Sequence, residues 1–141
     1  MLQIKKILCP VDGSEHSLRA AKYAMELAKL LNAKIILTYC HKPFPAILGE
    51  PFYQQTVSRI IETSHTILEP FRSLFSDNNI KFSERIVEGP AGQAVSEIAE
   101  IERCDLIVMG SRGYSNLQGL VLGSVAHRVL HSTTCPVFIV R

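Results

Sequence analysis

An alternation limits most what this chain can fold into. Short apolar runs recur along it, separated by longer stretches with helical periodicity. The runs are KILCPV (Lys6 to Val11), KIILTYC (Lys34 to Cys40), KFSERIV (Lys81 to Val87), DLIVM (Asp105 to Met109) and PVFIV (Pro136 to Val140). DLIVM is almost wholly apolar, as expected of a central parallel strand covered on both faces. KFSERIV is more polar and alternates, which predicts a place near an edge. Strands that alternate with helices, joined by right-handed crossovers, imply an α/β fold: one parallel sheet with helices on both faces.

The intervening segments support this reading. After Asp12-Gly13, Ser14 predicts a helix cap. Leu18, Ala21, Met25, Ala28 and Leu31, with Ala24 and Leu27 beside them, then form one apolar face. Asn32-Ala33 closes that helix. The segment His41 to Pro51 is rich in proline and reads as loop. A long helix is predicted from Phe52 to Asp77, with Val57, Ile60, Ile61, Ser64, Ile67 and Leu68 inward. Pro70 predicts a kink or break in it. Gly89-Pro90 opens another helix, with Ala94, Val95, Ile98, Ala99 and Ile101 inward. A short helix is predicted from Ser124 to His131.

At 141 residues, the expectation is a single domain spanning 1–141, large enough to bury a core. The formal charge of +2, from 15 basic and 13 acidic residues, argues against a nucleic-acid or anionic-membrane partner. No apolar segment approaches the roughly 20 residues of a membrane span. The first residues lack the pattern of a secretory signal, so a cytoplasmic location is expected. Cys9, Cys40, Cys104 and Cys135 form no CxxC pair and read as buried thiols in a reducing compartment.

The functional signal lies in GSRGYSNLQGLVLGS, Gly110 to Ser124. It leaves the end of the DLIVM strand and enters a helix. Ligands of an open parallel sheet sit at such strand ends, and a helix N-terminus gathers free N–H groups that favour an anion such as phosphate. Gly110, Gly113 and Gly123 are expected to let the backbone approach a ligand and to take positive φ. Ser111, Ser115 and Ser124 add hydroxyls, and Arg112 adds charge. The stretch has no lysine, which excludes the Walker A pattern, and GxGxxG is absent.

The spacing present is Gly-x-x-Gly, nine residues, then Gly-Ser: Gly110, Gly113, Gly123 and Ser124. With ILCPVDGSEHS, KIILTYC, the VEGP turn, DLIVMGSRG, LGSVAHRVL and CPVFIV, it resembles the ATP-binding branch of the universal stress protein family over the whole chain. The resemblance implies a Rossmann-like, adenine nucleotide alpha hydrolase-like fold with strand order 3-2-1-4-5. It also implies an adenine nucleotide, ATP or else AMP or ADP, across the carboxyl ends of strands one, two and four. Pro10, Val11 and Asp12 would then face the adenosine, with Asp12 near the ribose or base. Cys40 would sit at the adenine, and Met109 and Gly110 at the ribose and first phosphate. Arg112, Gly113, Gly123, Ser124 and Val125 would wrap the phosphates. Mg²⁺ would be held mainly by phosphate oxygens and water. The resemblance further implies a homodimer through antiparallel pairing of the last strand, Pro136 to Val140. That run has no polar alternation, so both of its faces need cover.

Other readings stand beside these. Asp12 can be a plain turn or capping residue, and Gly119 only a loop residue. Tyr114, bulky next to Gly113, can pack over a phosphate or block it. The single Asp12 after the first strand, and Val87-Glu88 after the third, do not make a receiver-domain phosphorylation site. His127 and His131 lie four apart on a helix but lack a third metal ligand in any obvious pattern. His41 reads as a bystander of the pocket. Efficient phosphoanhydride hydrolysis calls for a metal-organising carboxylate, a water-positioning group and strong charge compensation. The loop offers Arg112 alone. The Ser-Gly-Gly-x-Asp-Ser loop and the HIGH pattern of related nucleotide enzymes are absent. A nucleotide-dependent stress or signalling module is therefore expected. The alternatives are a slow ATP hydrolase and a nucleotide-free dimeric interaction protein.

Overall fold

The computed structural model describes residues 2–43, 49–114 and 121–141. Ser115 and Gly119, singled out above, lie outside them. Nine elements alternate: β1 (Lys6–Val11), α1 (Glu15–Leu31), β2 (Lys34–His41), α2 (Phe52–Asp77), β3 (Phe82–Glu88), α3 (Ala91–Ile101), β4 (Leu106–Gly110), α4 (Ser124–Ser132) and β5 (Val137–Val140). The strands form one parallel sheet in the order β3-β2-β1-β4-β5, so the expected topology holds. His41 belongs to β2 rather than to the loop after it.

The sheet separates two apolar clusters. Ile7, Cys9, Ile35, Leu37, Leu106 and Val108 face α1 and α2, where Ala20, Ala21, Ala24, Leu68, Phe71 and Phe75 cover them. Leu8, Ile36, Ile107 and Met109 face the other way, against Val95, Ile98 and Ala99 of α3 and Ala126 and Val129 of α4. β4 is buried along its whole length, as a central strand must be. β3 lies at one edge and is only partly buried.

Local signals set the ends of α1. Ser14 accepts a hydrogen bond from the Ser17 amide at 3.2 Å. Asn32 closes the helix in the left-handed region at φ 53°. The apolar face predicted for α1 is inward, with Leu18, Leu27 and Leu31 half-buried at its margin.

Three expectations need correction. Of the kink or break expected at Pro70, the break does not occur: α2 is one helix from Phe52 to Asp77. Leu68, Phe71 and Phe75 are buried on both sides of the proline, and this packing offsets the missing backbone donor. Ile61 is 45% exposed and Ile101 78% exposed, so neither faces inward. Ile61 is in line with the stripe of Ser64, Leu68, Phe71 and Phe75 but lies in the part of α2 before Ser64, where no side chain is buried, and Ile101 is the last residue of α3. β5 is not covered on both faces by its own chain: Phe138 is 39% exposed, beside Tyr23 at a ring-centroid distance of 6.1 Å.

Candidate functional site

The carboxyl ends of β1, β2 and β4 open into a cavity of about 250 Å³. It lies where the strand order reverses, with β1 paired to β2 on one side and β4 on the other. All of the residues carried forward from the sequence line it: Pro10, Val11, Asp12, Cys40, Met109, Gly110, Arg112, Gly113, Gly123, Ser124 and Val125. Residues far apart in the chain meet there because the parallel register brings Pro10 beside Thr38 and Val11 beside Tyr39.

The glycine loop is closed at its base. The Ser111 amide donates to the Val140 carbonyl at 2.8 Å, and the Gly123 amide returns to the Ser111 carbonyl at 2.5 Å. Ser111, just after β4, and Gly123, just before α4, are thus held side by side. Gly123 provides no side-chain cap to that helix. The first helical bond is from the His127 amide to the Gly123 carbonyl, at 2.9 Å. The Ser124, Val125 and Ala126 amides have no intrahelical acceptor, and all three residues line the cavity. This is a positive helix end turned to a pocket, suited to an anion.

The positive φ expected of the loop glycines is not found. Among the described glycines only Gly13 has a positive φ, at 86°. Gly110, Gly113 and Gly123 do not; each stands instead in close approach to other parts of the chain. A Cβ on Gly110 would stand 3.1 Å from the His16 carbonyl oxygen, pressing on the first turn of α1. One on Gly123 would stand 3.1 Å from the Ser111 carbonyl oxygen. One on Gly113 would collide with the Asp12 carboxylate.

Asp12 ties the first turn to the loop. One carboxylate oxygen accepts from the Ser14 amide at 2.8 Å, the other from the Tyr114 amide at 3.3 Å. It therefore serves the turn and also fixes the loop. It is the only carboxylate among the described lining residues, as Arg112 is the only cation. Tyr114 is 71% exposed, and its hydroxyl lies 3.2 Å from where a Gly13 Cβ would be. Its ring leans on the β1–α1 turn at the rim. Burial pushes the Cys40 thiol up to about 11, so it meets the cavity as a neutral, weakly polar wall. Burial, with Asp12, Cys40 and Tyr114 nearby, also raises the Tyr39 phenol.

The sequence reading missed Ser17, Thr38, Ala91, Val95 and Ala126, which complete the lining. Thr38 left a trace, as the polar residue inside KIILTYC. The α3 residues left none, because only packing brings the start of α3 over the sheet. His41 does not line the cavity; it is buried, with Nδ1 2.7 Å from the Lys42 carbonyl oxygen. The His127 and His131 rings lie 4.5 Å apart, tilted at 51°, on the exposed side of α4, and no cluster of three metal-binding side chains occurs among the described residues. No described helix is long and apolar enough to cross a membrane.

Fold and cavity together define a doubly wound α/β protein whose pocket lies at the switch point of the sheet. Residues 3–141 match the universal stress protein family, and the chain belongs to that family. It is 34% identical over 139 residues to the universal stress protein MJ0531 of Methanocaldococcus jannaschii, an alignment covering 97% of this chain and 82% of that one. The solved structure of MJ0577 from the same organism is similar with a TM-score of 0.87 at 30% identity, covering 98% of this chain and 96% of that chain. A universal stress protein solved in complex with cAMP is similar with a TM-score of 0.75 at 28% identity, covering 99% and 98%.

Proposed function

We propose that this chain, as one 1–141 domain, binds an adenine nucleotide in the cavity and acts as a cytoplasmic nucleotide-dependent stress or signalling module. The ligand is ATP, or AMP or ADP. The observation that carries this reading is the meeting, in one pocket, of the β1 end, Cys40, the closed glycine loop and the uncapped start of α4. The likeness to a family member solved with cAMP supports the base and the phosphate together. In this reading Pro10, Val11 and Asp12 face the adenosine, with Asp12 near the ribose or base, and Cys40 sits at the adenine. Met109 and Gly110 meet the ribose and first phosphate, and Arg112, Gly113, Gly123, Ser124 and Val125 wrap the phosphates.

Asp12 already accepts two amides, so Mg²⁺ would be held by phosphate oxygens and water rather than by a protein carboxylate. The same sparse charge disfavours fast hydrolysis, and a steady turnover of Mg-ATP near the ~1 s⁻¹ of ordinary enzymes would overturn the module reading. A homodimer through antiparallel pairing of Pro136 to Val140 belongs to the proposal, supported by the partial exposure of Phe138.

The test is mass spectrometry of ligand released from the purified, denatured protein, followed by calorimetric titration with Mg-ATP and AMP. Gly113→Val should abolish nucleotide binding. Its side chain would displace the Asp12 carboxylate and with it the anchor of the loop. The variant should keep the wild-type circular dichroism spectrum. Unchanged affinity in a folded variant would refute the site.

A further inference from the structure

Thr38 stands midway along β2, opposite Pro10, and is wholly buried. It lines the cavity, yet its Oγ1 has no hydrogen-bond partner among the described residues. Buried hydroxyls are nearly always paired, because an unpaired one forfeits its hydration for nothing. Two neighbouring buried hydroxyls are paired: Ser17 Oγ donates to the Ser14 carbonyl at 2.9 Å, and Ser14 Oγ accepts from the Ser17 amide. Ser83 Oγ also lacks a partner, but it lies on the edge strand β3 and does not line the cavity.

The surroundings of Thr38 are apolar. Ile36 precedes it on the same side of the strand and Cys40 follows, while Val95, Met109 and Ala126 close over the same space. A valine would meet every packing need of a β-branched position there and leave no orphan. The hydroxyl thus lacks a structural reason in the free protein.

Position along the strand limits what it can meet. Thr38 is two residues short of Cys40, about 7 Å deeper at the usual rise per residue. The α4 N-terminus and glycine loop stand at the mouth. A phosphate has its charge compensation there and would lose it on an apolar floor. A planar heteroaromatic ring suits that floor, provided its polar edge finds one partner. We propose that Thr38 Oγ1 is this partner: it hydrogen-bonds a polar atom of the nucleobase. The inference rests on the nucleotide reading above and deepens it. A hydroxyl can donate or accept, so Thr38 selects for a nitrogen-bearing base edge over an apolar group.

The test compares the wild type with Thr38→Val and Thr38→Ser, each titrated with AMP and with Mg-ATP and each melted without ligand. Thr38→Val should bind both nucleotides about tenfold more weakly, by the same factor, since they share the base and differ in phosphates. Its ligand-free Tm should equal or exceed that of wild type, because an unpaired hydroxyl has gone. Thr38→Ser should bind within about twofold of wild type, the hydroxyl being kept. Equal affinity of wild type and Thr38→Val would overturn the inference and leave the nucleotide site standing. So would a loss confined to Mg-ATP, which would assign Thr38 to the phosphates. A Thr38→Val protein that melts lower, with Thr38→Ser failing to restore affinity, would make the residue purely structural. Wild type that binds neither nucleotide would overturn the functional reading itself, and this inference with it.

Discussion

Gly13 shows how one residue can matter without touching a ligand. It turns the chain from β1 into α1 at φ 86°, a region that costs an L-residue roughly 1–2 kcal/mol. A Cβ there would also stand 3.0 Å from Ile67 Cγ2 of α2. Gly13→Ala is therefore expected to lower unfolding stability by about 1–2 kcal/mol, read from the urea midpoint at unchanged slope. A midpoint equal to wild type would show that the turn relaxes freely. The loop glycines were legible as special positions from their spacing. Their physical reason was not, since the atoms they avoid belong to His16, Asp12 and Ser111, and chain folding alone brings those close.

At the scale of elements, α2 is the clearest case of packing overriding a local rule. A proline predicts interruption, yet buried aromatic and aliphatic residues on both sides keep the helix whole. α2 is also tied to the edge strand β3 by a forked ion pair. Arg72 donates through Nε to one Glu84 oxygen and through Nη2 to the other, the latter at 2.9 Å. The guanidinium holds the Glu84 carboxyl below its ordinary value of 4.5. A carboxyl depressed in the folded state contributes stability above its unfolded pKa and loses it as pH falls through the folded one. Wild type should thus exceed Glu84→Gln by about 0.5–1 kcal/mol at neutral pH, the range for a partly exposed pair. The gap should close as pH drops below about 4.5. Parallel melting curves from neutral to acid pH would test this; a gap that persists in acid would assign the effect to packing.

For the molecule as a whole, the two edges of the sheet differ. β3 carries charges: Arg85 pairs with Glu102 of the α3 end at 2.5 Å, and Glu84 with Arg72. Charged side chains blunt an edge against pairing with another chain. β5 carries Val137, Phe138, Ile139 and Val140, with Phe138 half-covered by Tyr23. If β5 pairs with its copy, Phe138→Glu should convert the dimer to a monomer by sedimentation velocity at micromolar concentration, with the cavity lining unchanged. A wild type that sediments as a monomer would exclude the dimer, and a variant that stays dimeric would move the interface elsewhere.

Much of this protein was determined by local pattern. The kind and order of the elements, the ends of α1, the edge position of β3 and the glycine spacing follow from hydrophobic period, capping chemistry and turn residues, which act over a few positions. Tertiary structure decided what those rules do not reach: that α2 survives Pro70, that Phe138 stays partly exposed, that Ala91 and Val95 join the pocket, and that the hydroxyl of Thr38 is left without a partner among the described residues. Each of these depends on atoms tens of residues apart being brought within a few ångströms. Only packing across the sheet does that.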